Sequence, residues 1–448
     1  MTKKIAYALL IALFLAGTAF IIMRYKNQAG KNEISYYVLL DRKGALAQGK
    51  EWENTKLMVR TLYKSIADNP KDTKSALALA TAFIKEARIT GNYSYYDMAA
   101  MKQVDNVLAQ DENNFQALTY KALIYLSQHH FADGLAIAEK AQMINPYNSF
   151  IYGILVDANV EMGQYAAAIN DADKMVSIRP DLRSYSRISY LREIHGDYPG
   201  AIAAMKLAVA AGMSGDDDAE WTRIQLGHLY ENTGQADSAE LQYAESLEYR
   251  PGYAPALAGL GHIALEKADY QKAIQYYEQA DTLAMDYTFK ENLAALYKLT
   301  GNKKKSDSLS SLVINAMGKD AALAGNNENM GHYVDRELAN AYLTIGENTK
   351  ALQHAQAEYN RRPDNIDVNE TLAWVYYKNG DFQKAENYID TALKTNCKNP
   401  ALLCHAGLIY AKNGNNEKAK QLLTEALKSN PGIDPGLKTE SENEMKGL

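Results

Sequence analysis

Residues 226–251 read LGHLYENTGQADSAELQYAESLEYRP, and several positions of this stretch recur along the chain. Those positions hold a leucine, a small residue, a tyrosine, a glycine, a second small residue, a second tyrosine and a proline. In this copy they are Leu226, Gly227, Tyr230, Gly234, Ala239, Tyr243 and Pro251. A pattern that returns about every 34 residues predicts stacked supersecondary units, because one such unit cannot bury its apolar face alone.

The copies share one register when the proline is placed at position 32. They begin at Phe115, Ser149, Leu182, Glu220, Ala254, Tyr287, His332, Ile366 and Pro400. No large residue occurs at position 8, which holds Ala122, Val156, Ser189, Gly227, Gly261, Ala294, Ala339, Ala373 and Gly407. Only Gly, Ala or Ser occurs at position 20, which holds Gly134, Ala168, Ala201, Ala239, Ala273, Ser306, Ala351, Ala385 and Ala419. Small residues that stay in phase indicate two helices that cross closely.

This pattern resembles the tetratricopeptide repeat. The resemblance implies an all-α fold, a right-handed α-solenoid of about ten helix-turn-helix repeats, each with a helix A followed by a helix B. A glycine at position 15 suits the turn between the two helices, and the proline ends helix B. A weaker copy, 76–109, precedes the others, and its turn at 90–97 (TGNYSYYD) is expected to be enlarged. Before it, Trp52 to Ala67 predicts a lone helix that caps the solenoid.

The N-terminus carries a separate signal. Ile5 to Met23 is an uncharged run preceded by Lys3 and Lys4. As a helix it would span about 29 Å, close to the thickness of a bilayer core. We therefore expect an uncleaved membrane anchor with the repeats outside the cytoplasm, on the periplasmic side. The alternative is a signal sequence that is cleaved, so that the chain is exported.

These features predict six segments along the chain. They are a membrane anchor or signal sequence at 1–24, a linker at 25–50, a first block of repeats at 51–317, an irregular connection at 318–331, a second block of repeats at 332–431 and a disordered tail at 432–448.

Composition and motifs argue against several classes of function. The net charge is −6, and no basic stripe provides the electrostatic footprint of nucleic-acid binding. The chain has no nucleophile elbow, zinc-protease helix, phosphate-binding loop or dinucleotide turn. Its two cysteines, Cys397 and Cys404, form no metal framework, and a disulfide between them would be strained. We predict that the protein is not an enzyme and binds no cofactor.

The resemblance also indicates where a partner would bind. In tetratricopeptide repeats, positions 2, 5, 6, 9, 12 and 13 of helix A line the concave groove. The central repeats place there a polar and aromatic set: Arg183, Arg187, Tyr190, Trp221, Gln225, His228, Glu231 and His262. Tyr, Trp and Arg dominate interface hot spots. We therefore predict a non-catalytic scaffold that binds a protein or peptide in this groove.

One alternative function, that of a metal-dependent factor or enzyme, remains open. His228 and His262 share position 9 of adjacent repeats, and Glu231 and Glu266 lie on nearby turns. A metal-dependent factor or enzyme could use this region if the four side chains converged. We expect instead that they form the polar lining of the groove and hold no metal.

Overall fold

A computed structural model of the protein describes residues 37–326, 331–429 and 433–448. In these ranges the regular structure is entirely helical, so the predicted all-α solenoid of about ten repeats is confirmed. The predicted anchor, Ile5 to Met23, lies outside the described residues, as does most of the predicted linker. Among the residues that are described, we find no helix with the length and apolar character needed to cross a bilayer.

The solenoid begins with helix α1, Lys50–Asp68, and then consists of ten antiparallel helix pairs. The pairs, each a helix A and a helix B, are α2 Thr73–Thr90 with α3 Tyr93–Leu108, α4 Phe115–Ser127 with α5 Phe131–Ile144, α6 Ser149–Glu161 with α7 Tyr165–Ile178, α8 Leu182–Ile194 with α9 Tyr198–Ala211, α10 Asp217–Glu231 with α11 Ala236–Tyr249, α12 Ala254–Glu266 with α13 Tyr270–Leu283, α14 Tyr287–Leu299 with α15 Lys303–Asn326, α16 Asp335–Thr344 with α17 Asn348–Arg361, α18 Ile366–Lys378 with α19 Phe382–Ala392, and α20 Pro400–Lys412 with α21 Asn416–Ser429. A last helix, α22 Pro435–Gly447, follows the tenth pair.

Small residues set the spacing inside each pair. A Cβ on Gly407, at position 8 of helix A, would lie 3.3 Å from the carbonyl oxygen of Ala419, at position 20 of helix B. The reverse arrangement occurs in an earlier pair, where a Cβ on Gly134 would lie 3.3 Å from the oxygen of Ala122. The recurring small residues therefore mark the point where the two helices cross.

The turn between helix A and helix B needs a left-handed residue at position 15. Glycine takes this conformation, with φ between 73° and 82°, at Gly163, Gly196, Gly234, Gly301, Gly346, Gly380 and Gly414. In two pairs a residue with a side chain does so instead, His129 at φ 62° and Ala268 at φ 57°. Those two turns carry a steric cost that the glycine turns avoid.

Two predictions for segments inside the solenoid differ from the structure. The turn expected to be enlarged at 90–97 is short, because α2 ends at Thr90 and α3 begins at Tyr93. The tyrosines of that tract belong to a helix, in which Tyr96 is fully buried. The expected irregular connection at 318–331 is in part helical, because α15 continues to Asn326.

The tail expected to be disordered at 432–448 contains helix α22. Pro435 occupies the first turn of this helix, where its missing N–H is not needed, and Asp434 Oδ1 accepts the N–H of Leu437 at 2.9 Å. Leu437 and Ser441 are buried against the last repeat. The structure differs from the predicted disorder because composition does not show that a proline can start a helix.

The part of the predicted linker that follows residue 41 packs with the repeats. The chain from Arg42 to Leu448 forms one compact unit. Arg42 is buried and donates to both carboxylate oxygens of Glu86 in α2, at 2.6 and 3.0 Å. Arg250, at the end of α11, binds Glu51 of α1 at 3.2 Å. The first ion pair attaches the start of the unit to the first repeat, and the second attaches it to the fifth.

Successive turns of the solenoid touch each other directly. The N–H of Met285 donates to the oxygen of Thr90 at 2.9 Å, and the N–H of Ile366 donates to Tyr165 Oη at 2.9 Å. The second pair of residues is 201 positions apart. Since about 200 residues make roughly six repeats, one superhelical turn contains about six repeats.

Side chains and close backbone approaches extend this contact. Arg362 forms an ion pair with Glu161, and Asn365 Nδ2 donates to the oxygen of Glu161 at 3.1 Å. A Cβ on Gly163 would lie only 2.3 Å from the oxygen of Asp364. The glycine at this A–B turn therefore serves the contact between turns as well as the turn itself.

Candidate functional site on the inner helices

Helix A of each repeat forms the inner layer of the superhelix. The A helices α2, α4, α6, α8 and α10 each contact the A helix of the next repeat, in addition to their own B helices. Elements that approach each other this way lie on the shorter, concave radius of a curved stack. Side chains that point away from the B helices therefore face the interior of the superhelix.

Three large side chains of the predicted groove lie largely uncovered on this layer. Tyr190 of α8 exposes 38% of its surface and Trp221 of α10 exposes 42%. His228, two turns along α10, is also exposed. We call the surface that carries these three residues the inner surface.

The two predicted arginines are already engaged in ion pairs. Arg187 donates to both carboxylate oxygens of Asp157, at 2.6 and 2.9 Å, and to the oxygen of Gly153 at 2.9 Å. Arg183 is half exposed and binds Asp218 at 3.2 Å. Arg187 thus links α8 to α6, so it supports the repeat stack in addition to any role toward a partner.

The remaining predicted residues divide between the inner surface and a buried cluster. Gln225 is half-buried on α10. Glu231 is 5% exposed, and its Oε2 lies 3.0 Å from Nδ1 of His262 on α12. Glu266 lies next to them, one turn after His262. The structure therefore separates Glu231 from the open surface and joins it to a histidine and a second glutamate.

The second superhelical turn faces the same interior. Burial raises the pKa of Tyr190 well above its ordinary value, and the charges of Asp367 and Glu161 add to this effect. Asp367 belongs to α18 and therefore to the second turn, whereas Tyr190 belongs to the first. The charge of Asp367 in the second turn therefore acts on a side chain of the first.

Carboxyl groups crowd this interior. Burial raises the pKa of Glu193 to about 7, and nearby Asp367 contributes. Burial likewise raises the pKa of Glu291 to about 7, with Glu337 contributing. Burial also raises the pKa of Glu161. An added positive charge would favour the ionised forms of Glu193 and Glu291, whereas Glu161 already pairs with Arg362.

A histidine cluster that the sequence did not single out lies where the two turns meet. His129 Nδ1 is 2.8 Å from the oxygen of Tyr333, and His130 Nε2 is 2.9 Å from the oxygen of Gly331. His332 is buried nearby, with its ring centroid 6.1 Å from that of His129. The departure from glycine at His129, position 15, was the available sequence signal.

Two other features lie apart from the inner surface. Cys397 and Cys404 are free and buried, and burial raises the pKa of the Cys397 thiol to about 12. A depression of about 480 Å³ lies on the B helix α17, beside Leu352, Gln356 and Tyr376. Neither feature contains a residue of the predicted groove.

Comparison with known proteins agrees with the geometry of the helix pairs. A family model described as a tetratricopeptide repeat matches residues 224–287 and 370–433. The chain is 23% identical over 391 residues to Superkiller protein 3 of Saccharomyces cerevisiae. That alignment covers 83% of this chain but only 24% of the yeast protein, so the chain spans about a quarter of its relative.

Solved structures with similar helix pairs are distant in sequence. A tetratricopeptide repeat protein from Parabacteroides merdae has a TM-score of 0.42 and 15% identity, covering 54% of this chain and 92% of that one. The human IFIT1 dimer with PPP-AAAA has a TM-score of 0.47 and 14% identity, covering 72% and 73%. The family model identifies the helix pairs within residues 224–287 and 370–433 as tetratricopeptide repeats, and the other pairs of the described chain repeat the same helix-turn-helix arrangement.

Proposed function

We propose that the protein is a non-catalytic scaffold that binds a segment of another protein against its inner surface. The observation that carries this proposal is the exposure of Tyr190 and Trp221, at 38% and 42%, on helices whose backbones are held rigidly by the repeats. Large aromatic side chains on a rigid concave support provide contact area at a small entropic cost, and such residues dominate hot spots.

The charges of the interior favour a segment that carries lysine or arginine. Glu193 lies near Asp367 and Glu291 lies near Glu337, and burial raises the pKa of both glutamates to about 7. A cationic side chain near them would favour their ionised forms and relieve the repulsion between carboxylates. Binding of such a segment should therefore release protons near neutral pH.

Site-specific photo-crosslinking tests this proposal. A photoreactive amino acid at Trp221 in the full chain should capture a partner in the source cells, and one at Leu241 should not. Leu241 is a suitable control because it is 55% exposed but lies on the B helix α11. Partners captured equally at both positions, or at neither, would contradict binding at the inner surface.

Alanine variants give the second test. Trp221→Ala should weaken binding of the captured partner by roughly 1–4 kcal/mol and leave the folded chain intact. Arg187→Ala is a poorer probe, because Arg187 also bonds Asp157 and the oxygen of Gly153. If Trp221→Ala binds the partner with full affinity and Leu241→Ala binds it weakly, the partner binds the B helices and not the inner surface.

We also propose that residues 5–23 tether the scaffold to a membrane, with the repeats on the periplasmic side. The support is the uncharged run from Ile5 to Met23 in the sequence. Mass spectrometry of the protein in the membrane fraction should find the intact N-terminus, and protease added outside the cytoplasm should digest the repeats. A mature chain that begins near Phe20 would instead establish cleavage and export.

A further inference from the structure

Glu231, His262 and Glu266 bring three metal-ligating groups together between two A helices. His262 and Glu266 are four residues apart on α12 and therefore lie on one face of that helix. Glu231 approaches them from the end of α10. One nitrogen or oxygen from each residue lies within 4.8 Å of the other two. Nδ1 of His262 and Oε2 of Glu231 are 3.0 Å apart.

The two carboxylates are buried without enough hydrogen-bond donors. Glu231 is 5% exposed, and its Oε1 has no hydrogen-bond partner. Both carboxylate oxygens of Glu266 are buried without a partner as well. A buried carboxylate in this state is costly unless a cation or a donor compensates it. The lack of hydrogen-bond partners is a second observation, separate from the spacing of the three residues. It indicates that the carboxylates need a cation or a hydrogen-bond donor between them.

The surrounding groups do not supply the missing charge. Three groups without a permanent positive charge face the cluster: His228 from α10, Tyr243 from α11, whose hydroxyl interacts with Glu231, and His262 itself. Two lysines act on Glu266 from outside, Lys267 and Lys438 of α22, and Lys267 already binds Glu240. Two carboxylates in one enclosed site thus lack a positive charge between them.

We propose that Glu231, His262 and Glu266 bind one divalent transition-metal ion, with zinc as the ion that suits them best. One imidazole nitrogen and two carboxylate oxygens form a ligand set that zinc accepts, whereas calcium and magnesium favour oxygen ligands alone. Three protein ligands leave a fourth position of a tetrahedral site open. The ion can enter from the interior, because the side chain of His262 is 32% exposed.

Direct metal titration of the chelator-treated full chain tests the site. We expect one zinc ion to bind per chain by calorimetry, and cobalt bound in its place should produce the visible absorption bands of a low-coordinate site. His262→Ala and Glu266→Gln should each lower the affinity for zinc by about 100-fold or more, because each removes a ligand. Circular dichroism should show that both variants remain folded, since neither residue is fully buried.

The chain offers two matched controls. His405 on α20 lies 2.9 Å from Glu370 on α18, so it forms the same type of histidine–glutamate pair between A helices. That pair belongs to no comparable three-residue group among the residues that the structure describes. Glu248 is an exposed glutamate on α11. His405→Ala and Glu248→Gln should leave zinc binding unchanged.

Two results would overturn the proposal. In one, the wild-type chain binds no zinc or cobalt at saturating concentrations, and the carboxylates share a proton instead. In the other, zinc binds equally to the wild type and to His262→Ala, so that other histidines hold it. Neither result would bear on the proposed binding of a protein segment, which the crosslinking at Trp221 tests separately.

Discussion

At the scale of single residues, the A–B turn shows that a residue with a side chain can occupy a left-handed backbone position that favours glycine. The usual glycine has φ near 80°, yet Ala268 adopts φ 57° at the same position. An alanine in this region clashes with its own backbone, whereas glycine does not. The repeat stack on both sides forces Ala268 into this conformation.

Replacing Ala268 with glycine should therefore stabilise the protein. We expect Ala268→Gly to raise the free energy of unfolding by about 1 kcal/mol in a urea titration. The reciprocal variant, Gly301→Ala, should lower it by a similar amount. Gly301 has φ 82°, and a Cβ there would meet no atom within 4 Å, so its cost comes from the backbone alone. Equal stabilities for Ala268→Gly and the wild type would show that the turn relaxes without strain.

The repeat register largely predicts which residues lie on the inner layer. It does not predict which of their side chains pair with other residues of the chain. Position 9 places His228 and His262 on the inner layer, and the exposure of Trp221 agrees with its position. The ion pair of Arg187 with Asp157 was not foreseen, because it joins different repeats, and the sequence does not give the distance between their side chains. For the same reason, the sequence left open whether Glu231, His262 and Glu266 meet.

At the scale of helices, the crossing of A and B helices explains the small residues. A Cβ on Gly227 would lie 2.3 Å from the ring of Tyr243, which is fully buried. The tyrosine cannot move aside without disturbing the core of two repeats, since a Cβ on Gly259 would lie 2.7 Å from the same ring. The tyrosine and the two glycines thus form one packing unit.

Gly227→Ala should consequently destabilise the protein, by roughly 1–3 kcal/mol. The matched control is Gly318→Ala in α15, where the added Cβ meets no atom within 4 Å. That change should be neutral or stabilising, because alanine favours the helix by about 1 kcal/mol over glycine. Thermal unfolding of both variants provides the measurement. A Gly227→Ala variant that melts with the wild type would show that α10 and α11 are less closely packed than described.

Helix α22 closes the apolar end of the last repeat. Leu437 packs in the cluster that contains Leu402, Cys404 and Leu423. Tyr377 Oη also donates to Glu440 at 3.0 Å, which connects α22 to α18. Terminal helices of repeat proteins shield the core that the next repeat would otherwise cover.

Ending the chain after residue 432 should therefore expose the core of the last repeat. We expect a lower Tm and rapid reaction of Cys404 with a thiol reagent, because Cys404 is fully buried beneath this helix. In the full chain Cys404 should react slowly. Equal reaction rates in the two chains would mean that α22 does not cover the end of the solenoid.

Helix boundaries were mostly predictable, and the exceptions have local causes. The start of the register coincides with the start of helix A at Phe115, Ser149 and Ala254. Helix α10 instead begins at Asp217, before the expected Glu220, because a cluster of acidic residues suits the first turn of a helix. Such changes depend on electrostatics at the helix end, which the repeat pattern does not encode.

At the scale of the whole molecule, the contact between turns could not be predicted from the sequence. It joins residues about 200 positions apart, such as Tyr165 and Ile366. The pitch that brings them together accumulates from small rotations between repeats. The repeat pattern constrains how two neighbouring repeats pack, but it does not give the total rotation over a whole superhelical turn.

The histidines at this contact predict sensitivity to acid. Burial lowers the pKa values of His129 and His130 below their ordinary value of 6.5, so the unfolded chain binds more protons there than the folded chain. The stability that depends on the neutral rings is therefore present above pH 6.5 and is lost as the pH falls below it. The charged and titratable groups that face the two rings are Asp133, His332, Glu337 and Arg362.

We expect the Tm of the wild type to fall between about pH 7.5 and 5.5, and His129→Asn to reduce that fall. Asparagine tolerates the left-handed backbone at this position, and its amide can donate to the oxygen of Tyr333. The control His354→Asn alters a histidine that pairs with Asp335 inside a single repeat, and it should retain the wild-type pH profile. Identical pH profiles for His129→Asn and the wild type would exclude His129 as the origin of the acid sensitivity.

The contact between turns also limits how the chain can change length during evolution. Repeat arrays commonly gain or lose single units, because each unit touches only its neighbours. Here a duplication or deletion between His130 and Gly331 would shift every pairing across the turns by one unit and separate His130 from the carbonyl that it binds. The number of units between these residues should therefore stay constant among descendants of this gene, while units are added or lost at the two ends.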